Sequence, residues 1–102
     1  MSVIKVKIDN LNEKVHQITI SGHANYDEYG KDIVCSSVSS IVITTVNGIY
    51  EILPEYLDVY EEKDKMIITI VKEDEICMKL ILNMISLLKE LSSNYPKNII
   101  VK

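Results

Sequence analysis

The chain has 102 residues, 47% of them hydrophobic, and a net charge of −4. That is the length of one ordinary domain. Acids and bases alternate through both halves without a basic patch, which argues against a grip on phosphate backbones. Trp and Phe are absent, so Ile, Val, Leu, Met and Tyr must fill the core. The two cysteines, Cys35 and Cys77, share no CxxC spacing and make a poor disulfide framework. The opening MSVIKVKID alternates apolar and charged residues, unlike a signal peptide. No apolar run in the sequence reaches the roughly 18 residues of a membrane span. A cytoplasmic protein without membrane contact is the expectation.

Val3, Val6 and Ile8, set among Lys5, Lys7 and Asp9, predict a first strand. Asn10–Lys14 reads as a hairpin turn, and Val15, Ile18 and Ile20 as a second strand ending at Ser21-Gly22. Residues 23–31 lack an apolar period and read as a loop. From Asp32, placed as an N-cap, Val34, Val38, Ile41, Val42, Thr45, Ile49 and Leu53 make one helical stripe. β-Branched SIVITTV pulls toward strand, but Ile33–Leu53 is too long for one, and Pro54 marks the helix end.

Leu57, Val59 and Tyr60 predict a third strand, Glu61–Lys65 a charged turn, and Met66–Val71 a fourth strand. Glu73-Asp74-Glu75 suits the start of a second helix. Its core stripe is Ile76, Leu80, Met84, Leu87, Leu88 and Leu91, and Pro96 stops it. Asn98–Val101 is a short last strand. The fold class is therefore α+β, a single sheet with two long helices in the order β-β-α-β-β-α-β. Ile81, Leu82 and Ile85 widen the apolar surface of the second helix beyond what one sheet covers. That points to a symmetric dimer.

One stretch, GHANYDEYGKDIVC from Gly22 to Cys35, holds one of the two histidines and one of the two cysteines. An N-cap at Asp32 would put Cys35 in the first helical turn, where the dipole favours thiolate and the Cys35 N–H is an oxyanion donor. His23 leaves the end of a neighbouring strand and can reach over that helix start, giving a nucleophile and base for acyl transfer. Ser39 stands one turn beyond Cys35 on the same face. Plainer readings compete: a lone helix Cys is a small buried hydrophobe, a lone His a polar surface residue, Asp32 a mere cap, and Ser36 and Ser37 solvated first-turn residues. His16 is expected on the solvent face of its strand. Cys77 is expected to be packed, with no second thiol or His at metal-ligand spacing.

The stretch SGHANYDEYGKDIVCSSVSS resembles the signature of the ribosomal-processing cysteine protease family, Prp. That signature runs Gly-His-Ala, a short loop with Gly, Asp-Ile-Val-Cys, a pair of small residues and Ser. The resemblance extends through TTVNG in the first helix to Tyr-Pro after the second, and Ser36-Ser37 stands where Ala is common. It implies one cysteine protease domain over residues 1–102. Its members remove the N-terminal extension of a large-subunit ribosomal protein, the twenty-seventh of that series, cutting after Phe in a hydrophobic motif. The family is homodimeric and needs no cofactor or metal. The resemblance makes Cys35 the nucleophile and His23 its general base and acid, supported by Gly22, Asp32 and Ser39. In the loop, Tyr26 and Tyr29 would line a substrate groove with Gly30 as a hinge. Two other classes stay in view. One is a thiol redox sensor using Cys35 without hydrolysis; the other is a ribosome-associated dimeric binding module needing neither Cys35 nor His23.

Overall fold

The computed structural model describes residues 3–22 and 29–102, the side chains of residues 29–32 aside. Its elements are β1 (Ile4–Leu11), β2 (Lys14–Ser21), α1 (Tyr29–Ile52), β3 (Leu57–Glu62), β4 (Lys65–Ile70), α2 (Glu75–Asn94) and β5 (Ile99–Val101). The order is the expected one. The strands form one mixed sheet, β3-β4-β2-β1-β5, antiparallel throughout except that β5 runs parallel to β1.

The strands follow period-two burial. Ile4 and Val6 are buried with Ile8 partly so, and Lys5 and Lys7 are exposed. The apolar series of β1 thus starts at Ile4 rather than Val3. Ile18 and Ile20 of β2 and Ile68 and Ile70 of β4 continue the same buried face. Each such side chain is worth about 1.5–3 kcal/mol when fully covered. The first hairpin turns at Asn12 and Glu13, both with positive φ (53° and 67°), the type I′ geometry that matches strand twist. β3 runs through Glu61 and Glu62 instead of yielding to a turn there, because Glu62 still pairs with Lys65. An exposed edge strand carries acids without burying charge.

Both helices cover the same face of the sheet. On α1, Val34, Val38, Val42, Val46 and Ile49 are buried, with Ile41 and Leu53 on the shoulders of the core. The helix begins three residues before the expected cap, so Asp32 is its fourth residue and Tyr29–Lys31 are helical rather than loop. The apolar period begins only at Ile33 and so could not mark a helix start at Tyr29. Within α1, Ile33–Ile52 is long and apolar enough by length and composition to cross a membrane, with mean hydropathy 1.5. This corrects the expectation that no segment reaches that length. Its Val34-Val38-Val42-Ile49 stripe nevertheless packs on the sheet.

Asp74 is the N-cap of α2, its carboxylate accepting the Cys77 N–H at 2.9 Å. The buried stripe is Cys77, Ile81, Met84, Ile85 and Leu88, turned by most of one residue from the expected one. Ile76, Leu82 and Leu87 are exposed instead. The helix meets two neighbours, the sheet and α1, so its apolar surface is wider than either contact. Ile81 and Ile85 therefore belong to the core, and only Leu82 of the three residues expected to face a partner does not.

Candidate active site

Gly22 closes β2 with φ +81°, and a Cβ built there would lie 2.6 Å from the Val3 carbonyl oxygen. Only glycine takes this turn beside that oxygen without strain. Its N–H donates to the Asp64 carbonyl at 3.0 Å, which ties the strand exit to the β3–β4 turn. Sequence reasoning picked out Gly22 for the turn. The anchoring by Asp64 and the crowding by Val3 both act through backbone carbonyls and leave no side-chain signal to find. His23 and Tyr26 lie outside the described residues. Tyr29 and Gly30 fall in the first turn of α1, so Gly30 is part of a helix and not a loop hinge.

Cys35 is the seventh residue of α1 and is half-buried against the core. It stands beyond the four N-terminal residues whose N–H groups lack an intrahelical acceptor. The expected first-turn placement is thus corrected: the Cys35 N–H is not a vacant oxyanion donor, and the dipole, strongest in the first turn, acts on it less. Ser39 is half-buried one turn on. At about 100° per residue, Cys35 and Ser39 share one flank of α1, opposite Ser37 and Ile41. Those two face α2 across a cleft of about 470 Å³ that also holds Leu87 and Leu91. Ser37 donates its hydroxyl to the Ile33 carbonyl at 2.9 Å, a helix-internal bond. Asp32 keeps a place in the helix but not as its cap.

The second cysteine differs. Cys77 is fully buried, and burial first, then the Asp74 carboxylate, pushes its thiol up to about 11. The Cys77 N–H in turn holds Asp74 below the ordinary carboxylate value. Nearby Tyr56 is raised by burial, and its hydroxyl has no partner among the described residues. His16, expected on the solvent face, is half-buried at a bulge where Asp9 pairs with Gln17 and Asn10 with Val15. It lines a cavity of about 1420 Å³ with Tyr56 and Asp74, at the hairpin end of the sheet, away from Gly22. Cys35 lines neither cavity. Among the described residues no three His, Cys, Asp or Glu side chains gather as a metal would require.

A half-exposed thiol, thirteen residues beyond a glycine-locked strand exit in sequence, can serve covalent acyl transfer. The family model of the cysteine protease Prp matches residues 3–100. The ribosomal processing cysteine protease Prp of Staphylococcus aureus (strain Mu50 / ATCC 700699) is 39% identical over 46 residues. That alignment covers 45% of this chain and 43% of the relative, so the chain matches less than half the length of its curated relative. A crystal structure of the S. aureus Prp with a substrate peptide superposes with a TM-score of 0.84 at 24% identity, over 100% of this chain and 98% of that one. Another, with a covalently linked product peptide, gives 0.81 at 25%, again over 100% and 98%.

Proposed function

The chain belongs to the cysteine protease Prp family, and on that premise we propose that it is a cysteine endopeptidase working through Cys35 and His23. Its substrate is the N-terminal extension of the twenty-seventh large-subunit ribosomal protein, cut after an aromatic residue, in the cytoplasm, in support of ribosome assembly. The observation that carries this reading is the family match over residues 3–100, supported by a half-exposed Cys35 on α1 and by Gly22, which closes β2 just before His23 in sequence. The S. aureus relative, a ribosomal processing protease, has been captured with a product peptide covalently linked, which supports a covalent route.

In that route the Cys35 sulfur attacks the scissile carbonyl as His23 takes the thiol proton. His23 returns the proton to the leaving amine, and the C–N bond breaks to leave a thioester. Water, deprotonated by His23, then attacks the thioester and frees the acid and the thiol. No metal or cofactor enters these steps. Ser39, on the Cys35 flank, and Gly22 hold the two reacting side chains in place. The exposed Ile76, Leu82 and Leu87 of α2 support assembly as a homodimer.

The test is cleavage of a peptide carrying that extension by the wild type, Cys35→Ala and His23→Ala. Cleavage by the wild type alone is expected, with each variant down by at least about 10³-fold. Retained cleavage in Cys35→Ala would remove the reading. An intact peptide with the wild type would shift attention to thiol sensing.

A further inference from the structure

We propose that the free edge of β3 is the docking strand for an extended, basic segment of the substrate, an inference that rests on the peptidase reading above. Among the described residues β3 is the outermost strand of the sheet, paired only with β4. The Val71 N–H donates to the Tyr56 carbonyl at 2.9 Å, which sets the phase of the ladder. Hydrogen-bonded pairs alternate with non-bonded ones in an antiparallel ladder. In the register that pairs Asp58 with Thr69 and Tyr60 with Ile67, the bonded residues of β3 are Asp58, Tyr60 and Glu62. The backbone N–H and C=O groups of Val59 and Glu61 therefore point outward from the sheet, available to an added strand.

This edge lies on the nucleophile's side of the molecule. α2 packs beside β5, and Ser37 and Ile41 of α1 face α2. The Cys35–Ser39 flank, on the opposite side of α1, therefore looks toward β3. The β2-α1-β3 connection agrees with this placement, since it joins two parallel strands with β4 between them and so carries α1 across β4 toward β3. The ends agree as well. β3 finishes at the end where Gly22 bonds Asp64, and α1 starts only seven residues after Gly22. A peptide added along Val59–Glu61 would run beside the flank that carries Cys35, its residues alternately facing α1 and facing away.

Charge narrows the occupant. β3, with sequence LDVYEE, carries Asp58, Glu61 and Glu62 and no base. A segment rich in Lys or Arg complements it, and a ribosomal protein that must hold RNA phosphates is basic by the same electrostatics. The main-chain bonds supply affinity without sequence demand, leaving the choice of cleavage point to the side chains nearest Cys35.

The experiment follows amide exchange by NMR in Cys35→Ala with and without the extension peptide, alongside cleavage of the same peptide by the wild type. The Val59 and Glu61 amides should slow by at least about tenfold on binding, and the wild type should cut. Cutting without that protection overturns the edge alone. Protection without cutting supports the edge and sinks the peptidase reading, and the absence of both overturns the two together. A second variant, Glu61→Pro, removes an outward N–H and no ladder bond. It should lower kcat/KM about tenfold through KM, with an unchanged circular dichroism spectrum. A folded Glu61→Pro that cuts with wild-type KM would contradict the proposal.

Discussion

Cys35 and Cys77 sit on the two helices that cover the same sheet, and their surroundings assign them opposite chemistry. Cys77 has what a reactive thiol is supposed to need from a helix: it is the third residue of α2, and its N–H is engaged by the cap. It is nonetheless fully buried, its thiol pushed up to about 11. Cys35 is a full turn further from its own helix start, yet half-exposed. Burial and a capping carboxylate outweigh the dipole of a helix terminus. Access, more than position in the first turn, separates the half-exposed thiol from the core residue here.

The largest effect expected from this contrast is in thiol labelling. Iodoacetamide at neutral pH should modify Cys35 in the native protein at least about 10³-fold faster than Cys77, whose rate is limited by unfolding. Peptide mapping by mass spectrometry reads both rates at once, and comparable rates would erase the contrast.

Next is the dependence of each region on its neighbours. The Cys77 corner is completed locally by Asp74, whereas the strand exit before His23 relies on Gly22 fitting beside Val3 and bonding Asp64. Gly22→Ala should cost about 2–4 kcal/mol in urea unfolding, from a left-handed φ and a clash with backbone. Cleavage should fall along with it, even under conditions where the variant stays folded. A variant as stable and active as the wild type would show that Gly22 is not a constraint.

The smallest effect is on pH. The folded Cys77 keeps its proton up to about 11, while an unfolded thiol loses it near 9.0. Above 9.0 the unfolded chain binds fewer protons than the native one, so stability falls as pH climbs from 9.0 toward about 11. Chemical denaturation of the wild type and Cys77→Ala across that range should show a steeper decline in the wild type. Parallel slopes would mean that Cys77 is not held protonated by the fold.

Much of this architecture was legible in the sequence because it rests on periodicity: Ile18 and Ile20, Ile68 and Ile70, and Val34, Val38 and Val42 announce their elements and their buried faces. What misled were segments where burial and pattern part company. The first turn of α1 precedes its apolar period, Glu61 and Glu62 look like a turn but lie on an exposed edge, and α2 shares its apolar surface between two neighbours. At the site, residue type and spacing singled out the stretch from Gly22 to Cys35, and the family resemblance supplied the roles of Gly22 and Cys35. The Asp64 carbonyl that anchors Gly22 and the Val3 carbonyl that crowds it belong to distant backbone, which no local pattern encodes.

The most direct test of a nucleophilic Cys35 is an acid quench of the wild type during turnover of the extension peptide, followed by intact-mass and peptide-mapping mass spectrometry. The account predicts an adduct of the N-terminal cleavage fragment less one water, held as a thioester at Cys35 and absent from Cys35→Ala. Turnover with the adduct at Cys77, or undiminished turnover by Cys35→Ala, would contradict it.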